Sequence, residues 1–286
     1  MSKKSVITVT FGDSGENHVG NQMIGEKVQE GQGFNLEDFQ KAKVIVETTN
    51  PEAIVTIHNL KELLIDNIGE KNTTETITIG MLEYLPDVAL IIIENILSQE
   101  LANCIETELN TLTWDTKYWD TRRQRVLNKR ARSNLCFDEN DQEPDYENGK
   151  GRIVSFGRLP NLEKIKTSLG NIFGEKGQHL IGEGNRYPDR TKNGIGFHGD
   201  AERLKVVALR LNEADENGDR GTMPICWQWF HRSKPIGNKF TLDIPHGTIY
   251  AMSEYATGFN WRKSSLYTLR HAAGGKKYTD IVLKNW

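Results

Sequence analysis

The chain has 286 residues, of which 37% are hydrophobic and 26% charged, enough for a large core that needs no disulfide or structural metal. A net charge of −3 excludes a polycation that binds phosphate over its whole surface. The three cysteines, Cys104, Cys136 and Cys226, are far apart, which excludes a disulfide framework and a Cys-x-x-Cys zinc site and suits a reducing compartment.

The opening MSKKSVITVTF lacks the apolar core of a secretion signal, and the longest apolar run, Val88 to Ile93, is too short for a bilayer. The expectation is a soluble intracellular protein, cytoplasmic or nuclear, with no membrane partner. In chain order, Val6 to Phe11 alternates as a strand. Asn35 is placed to cap a helix carrying Phe39, Ala42 and Val46, and a second short helix is expected around Leu60, Leu63, Leu64 and Ile68. Residues 1–85 therefore read as an α/β extension of unknown role, and residues 86–286 as the main domain.

Val88 to Ile93 reads as a buried strand, followed by a helix with Leu97, Leu101, Cys104, Ile105 and Leu109 on one stripe. A basic segment from Lys117 to Arg132 precedes the acidic, turn-rich DENDQEPDYENGKG, which is expected at the surface. Pro160 opens a helix with Leu162, Ile165, Leu169 and Ile172 facing inward. From about residue 178 the pattern becomes short strands between turns: Val206 to Leu211, Ile225 to Phe230, Phe240 to Ile244, Thr248 to Met252 and Tyr278 to Leu283. Pro245-His246-Gly247 reads as a tight turn. The fold class expected is α+β: a β-sandwich or jelly roll with supporting helices.

His198-Gly199-Asp200 carries the sharpest chemistry. On a strand, residues two apart face the same side, so the imidazole and the carboxylate can converge on one cation. A second histidine from a distant strand would complete two imidazoles and a carboxylate, leaving positions open for Fe(II) chemistry. Downstream, His231, His246 and His271 are the candidates, His246 being poorly placed in a turn.

The longer stretch, Asn185-Arg186-Tyr187 followed by Ile195-Gly196-Phe197-His198-Gly199-Asp200-Ala201-Glu202, resembles the signature of the AlkB-like branch of the Fe(II)/2-oxoglutarate-dependent dioxygenases. GTIYAMSEYATGFNW is similar to the hairpin that precedes that family's second metal histidine. The resemblance spans roughly residues 90 to 286. It implies a double-stranded β-helix, Fe(II), 2-oxoglutarate and O2 as cofactors, and His271 of Leu269-Arg270-His271-Ala272-Ala273-Gly274 as distal ligand, with His246 as the fallback. It also implies that Asn185 and Tyr187 hydrogen-bond the co-substrate.

For the far carboxylate of 2-oxoglutarate, Lys277 with Thr279 on one strand face is the expected anchor, with Arg270 or Lys276 as further contacts; the family's R-x-N-x-T-x-R ending is missing. A solvated turn is the competing reading for the lysines.

On the substrate side, Arg122, Arg123 and Arg125 lie where AlkB-like enzymes carry a nucleotide-recognition lid, and Trp227 and Trp229 share a face that could stack a base. The competing readings are a charged helix face paired with the acidic loop, and core packing of the tryptophans. Glu16-Asn17-His18-Val19-Gly20-Asn21-Gln22 is polar and finds no role from sequence. The resemblance implies oxidative dealkylation of a nucleobase in single-stranded or alkylated nucleic acid, with flipping in a duplex. Hydroxylation of a protein side chain or small molecule is the alternative, and a non-catalytic jelly-roll binding module a further one.

Overall fold

The computed structural model describes residues 4–64, 83 and 85–281. Its strands in chain order begin with β1 (Val6–Gly12), β2 (Ser14–Glu16), β3 (Met23–Gly25), β4 (Ile54–Asn59) and β5 (Ala89–Glu94). They continue with β6 (Lys117–Asp120), β7 (Arg125–Asn128), β8 (Ser133–Asp138), β9 (Ile153–Ser155), β10 (Ile181–Tyr187) and β11 (Gly194–His198). The last five are β12 (Val206–Asn212), β13 (Pro224–His231), β14 (Lys234–Asp243), β15 (Thr248–Met252) and β16 (Thr268–Gly274). Among the described residues four helices accompany them: α1 (Leu36–Thr49), α2 (Gln99–Asn110), α3 (Pro160–Phe173) and the single turn α4 (Lys276–Thr279).

The protein is a strand-rich mixture of helix and sheet. Eight strands form one sheet in the order β4-β5-β15-β12-β1-β10-β8-β9, antiparallel except for the β8–β9 pair. A second antiparallel sheet runs β11-β16-β13-β14. Period-two alternation gives the central strands of the large sheet two buried faces, while edge strand β4 keeps Ile54 and Thr56 exposed. Ile7, Val9, Phe11, Leu209 and Leu211 meet Phe39, Ile105 and Leu169 of the helices on the outer side. On the inner side Val6, Tyr187, Ala208 and Tyr250 meet Trp227, Trp229 and Leu269 of the smaller sheet.

The helices start as their sequences dictate. Asn35 accepts the Asp38 amide while Asp38 accepts the Asn35 amide, a reciprocal cap on α1. Pro160 opens α3.

Several sequence expectations change here. The strands within residues 1–85 are not an appendage: β1 is hydrogen-bonded on both sides, to β10 and β12, and β4 extends the same sheet beside β5. The basic segment is no helix but a hairpin, β6–β7, because alternating Tyr118, Trp119, Val126 and Leu127 suit a strand pair. Only Leu60–Leu64 of the second short helix is seen, as a 3-10 turn, and Ile68 lies outside the described residues. The strand expected from Tyr278 to Leu283 is absent over its described part. Gly274, at φ 120°, turns the chain into α4, and the slot between β10 and β12 is already filled by β1. Residues 282–286 lie outside the described set. Among the described residues no helix is long and apolar enough to cross a membrane.

Candidate metal centre

His198 ends β11 and His271 lies within β16. The two residues are direct cross-strand partners after a bulge between Ile195 and His198. Asp200 follows two residues on, its amide donating to the Thr257 carbonyl at 2.9 Å. Glycine is required between them, since a Cβ at Gly199 would collide with the carbonyl of Gly258. One ligand atom from each of His198, Asp200 and His271 lies within 4.8 Å of the others. His198 Nε2 and His271 Nε2 stand 3.7 and 3.6 Å from the same oxygen of Asp200.

The electrostatics suit a cation. Burial first, and then His271 alongside, push the His198 imidazole down to about 3, so it is neutral and its lone pair is available. Its Nδ1 lies 2.8 Å from the Gly196 carbonyl, which leaves Nε2 to face Asp200. Burial opposes ionisation of Asp200, but His271, Arg203 and His198 together outweigh it and hold the carboxyl below its ordinary range. Two imidazoles and a carboxylate on one side of a cavity fit a divalent first-row metal.

The cavity in front of the triad has a volume of about 460 Å³. Asn185 and Tyr187 of β10 line it. Arg132 donates through Nε to Asn185 Oδ1 at 2.6 Å. Deeper in lies Arg210 of β12, only 1% exposed. It shares a hydrogen bond with Tyr250, while its Nε and Nη1 have no partner among the described residues. Burying a guanidinium without an anion is costly, and an acidic ligand in the cavity would relieve it. Sequence reasoning missed Arg210; the available signal was a lone charge in the otherwise apolar strand VVALRL.

The expected carboxylate anchors are elsewhere. Arg270 alternates away from His271 onto the outer face of the smaller sheet, its guanidinium 4.3 Å over the Phe230 ring and 5.2 Å from Trp261. Lys277 is exposed on α4, its Nζ 5.4 Å from the Tyr278 ring, and Thr279 is hydrogen-bonded back to Gly275. Arg270, Lys276, Lys277 and Thr279 are all outside the cavity lining. The base-stacking candidates are corrected likewise. Trp227 is fully buried against Phe240 and Tyr250, and Trp229 donates to the Leu60 carbonyl at 2.8 Å.

Arg122, Arg123 and Arg125 are exposed at the tip of the β6–β7 hairpin and do not line the cavity. The acidic loop pairs with other cations: Glu143 with Arg152, Asp141 with Arg158 and Glu139 with Lys166. His231 stacks on Tyr267. His246 sits in its turn, where its Nδ1 accepts the Asn212 amide and Arg220 lies beside it. Neither belongs to the triad.

No protein-family model matches the chain. It is 36% identical over 278 residues to "Uncharacterized protein R156" of Acanthamoeba polyphaga mimivirus, across 96% of this chain and 98% of that one. Identity of that extent over nearly the whole of both chains makes this chain a member of the same family as that mimivirus protein.

Proposed function

We propose that the protein is an Fe(II)- and 2-oxoglutarate-dependent dioxygenase that hydroxylates a C–H bond. The observation that carries the reading is the convergence of His198, Asp200 and His271 on the wall of one cavity between the two sheets. The chain path supports it. From β10 to β13 successive strands alternate between the two sheets, and β14, β15 and β16 do so again, as in a double-stranded β-helix. On this reading β1 occupies the large-sheet slot that the chain would enter after β16.

His198, Asp200 and His271 would hold the metal, and Arg210 with Tyr250 would receive the far carboxylate of 2-oxoglutarate. When bound, Fe(II), 2-oxoglutarate and O2 supply the oxidation, in which loss of CO2 to give succinate is coupled to insertion of one oxygen atom into C–H. The chain's own residues position and exclude. Asn185 and Arg132 hold the wall beside the triad, and Tyr187, Ile225, Tyr250 and Met252 keep the inner end dry. A low-dielectric wall strengthens the pairing of Arg210 with a carboxylate.

For the substrate, the signature around His198 points to oxidative dealkylation of a nucleobase in DNA or RNA. The exposed arginines of the β6–β7 hairpin are then the phosphate contacts. Hydroxylation of a protein side chain or small molecule is the second reading, favoured by the carboxylates of Glu16 and Glu202 on the cavity wall.

The test is succinate release from 2-oxoglutarate under air with added Fe(II), comparing the native protein with His198→Ala, His271→Ala and His246→Ala. The reading expects release that the first two variants lose and the third keeps. Absence of release together with absence of Mn(II) binding would overturn it in favour of a binding module.

A further inference from the structure

Of the segment Glu16 to Gln22, which had no role in sequence terms, Glu16 to Val19 form a wall of the cavity that holds the triad. Asn17 fixes it in place. Its Nδ2 donates to Asp115 at 2.9 Å, and the Lys129 ammonium donates to its carbonyl at 3.0 Å and to its side-chain oxygen. The His18 ring lies against Tyr118 with centroids 3.7 Å apart, which clasps the wall to the β6–β7 hairpin. Glu16, His18 and Val19 thereby line the same cavity as His198, Asp200 and His271.

The charges on this wall do not balance. Arg203 is buried, and its guanidinium is shared by Glu183 and Glu202. Glu16 lies close enough to Glu202 and Glu183 for both to repel it, Arg203 offsets this only in part, and among the described residues its side chain takes one hydrogen bond, from the Gly20 amide at 3.1 Å. The other cations on the lining are engaged elsewhere: Arg132 on Asn185 and Arg262 against the Trp261 ring. The buried Arg210, whose Nε and Nη1 have no partner among the described residues, independently marks this cavity as built for a ligand. Its inner end therefore calls for an anion, and the Glu16 wall for a cation.

We infer that Glu16 is a specificity-determining residue, and that it receives a nitrogen cation with N–H donors: the ammonium or guanidinium of a basic side chain. This rests on the dioxygenase reading above. A half-desolvated carboxylate without a cation is costly, and a substrate ammonium would remove that cost on binding. Burial first, and then Glu202, push the Glu16 carboxyl up to about 7, in keeping with a group that lacks its counter-ion. A basic side chain also brings an apolar stem, whose C–H bonds would lie on the triad side of the cavity. A flat base is the weaker fit, because the two strand tryptophans that would stack it are in the core.

The experiment uses the full chain loaded with Mn(II) and 2-oxoglutarate under argon. Calorimetry measures binding of N-acetyl-lysine amide and N-acetyl-arginine amide, and of the uncharged N-acetyl-norleucine amide, N-acetyl-citrulline amide and 1-methyladenosine. At least one basic probe is expected to bind ten times or more tighter than its uncharged counterpart. That preference should vanish in Glu16→Gln and survive in part in Glu16→Asp, with thermal unfolding showing that both variants fold. Equal binding of charged and uncharged probes overturns the inference, as does a preference that survives in Glu16→Gln. Binding of 1-methyladenosine without either basic probe also overturns it and favours the nucleic-acid reading. Failure of the native protein to bind Mn(II) and 2-oxoglutarate at all overturns the dioxygenase reading, a separate outcome visible before any probe is added.

Discussion

Thr8 stands directly opposite Arg210 on one side and directly opposite Asn185 on the other, so a guanidinium, a hydroxyl and an amide form one row across β12, β1 and β10. Cross-strand partners share a face, so the row looks toward the smaller sheet and the metal cavity. Arg210 is the member of this row without a counter-charge. Replacing even a buried ion pair by apolar side chains of similar volume is often neutral or stabilising by about 1 to 4 kcal/mol, and a buried cation without a counter-charge has no Coulombic attraction to lose. Arg210→Met is therefore expected to unfold at the same or a higher temperature than the native protein. It should bind 2-oxoglutarate about 100-fold more weakly, a loss of about 2.7 kcal/mol. Calorimetric titration and a melting curve on the same preparation check both halves; a variant that melts lower and binds normally would assign Arg210 to the core alone.

The triad makes a sharper prediction. His198→Ala and His271→Ala should each weaken Mn(II) binding at least about 100-fold, since each removes one of three ligand atoms gathered in the cavity. His246→Ala should leave metal affinity unchanged, because its ring is engaged with Asn212 and Arg220. Manganese electron paramagnetic resonance distinguishes the cases. Gly199→Ala should resemble the ligand variants, as the added methyl collides with the Gly258 backbone and displaces Asp200.

The triad could be read in the sequence because strand periodicity puts His198 and Asp200 on one face with only one residue between them. Asn185 and Tyr187 came from the resemblance alone; being two apart on β10, they share the face that lines the cavity. Arg210 could not. Its role depends on which strand lies beside β12, and sheet order is not written in local pattern. The misplacement of Lys277 has the same root. A strand was expected after His271, but β1 already fills the large-sheet slot, and the chain turns into α4 instead. Trp227 and Trp229 show the limit of alternation: it fixes which residues share a face but not whether that face meets solvent or a second sheet.

Stability against pH should report on Glu16. Its carboxyl, ordinarily at about 4.5, is pushed up to about 7 in the fold by burial and by Glu202. A raised acid favours the folded state fully below about 4.5, and that contribution fades as pH rises through about 7. Glu16→Gln should therefore melt like the native protein at pH 4 and above it at pH 8.5. Melting curves at the two pH values check this, and an equal offset at both would show that Glu16 is not desolvated.

The tryptophans and the hairpin arginines separate packing from contact. Trp227→Ala is expected to cost about 3 to 5 kcal/mol in chemical denaturation. Arg122→Ala, Arg123→Ala and Arg125→Ala together should change stability by less than about 1 kcal/mol. If the nucleic-acid reading holds, the triple variant binds single-stranded DNA more weakly and with a shallower salt dependence. An unchanged salt slope would take the β6–β7 hairpin out of the substrate path.

β1 lies between two strands that the ribosome delivers long afterwards: Val6 pairs with Tyr187 on one side and with Asn212 on the other. The large sheet cannot close until that much of the chain has emerged, so folding is governed by contacts of high sequence separation. Such topologies fold slowly and leave edges exposed while they wait. Residues 86–286 expressed alone would lack a strand hydrogen-bonded on both sides and are expected to aggregate. The same residues supplied with a β1 peptide in trans should regain metal binding, which would make this early strand a handle for switching assembly of the site on and off.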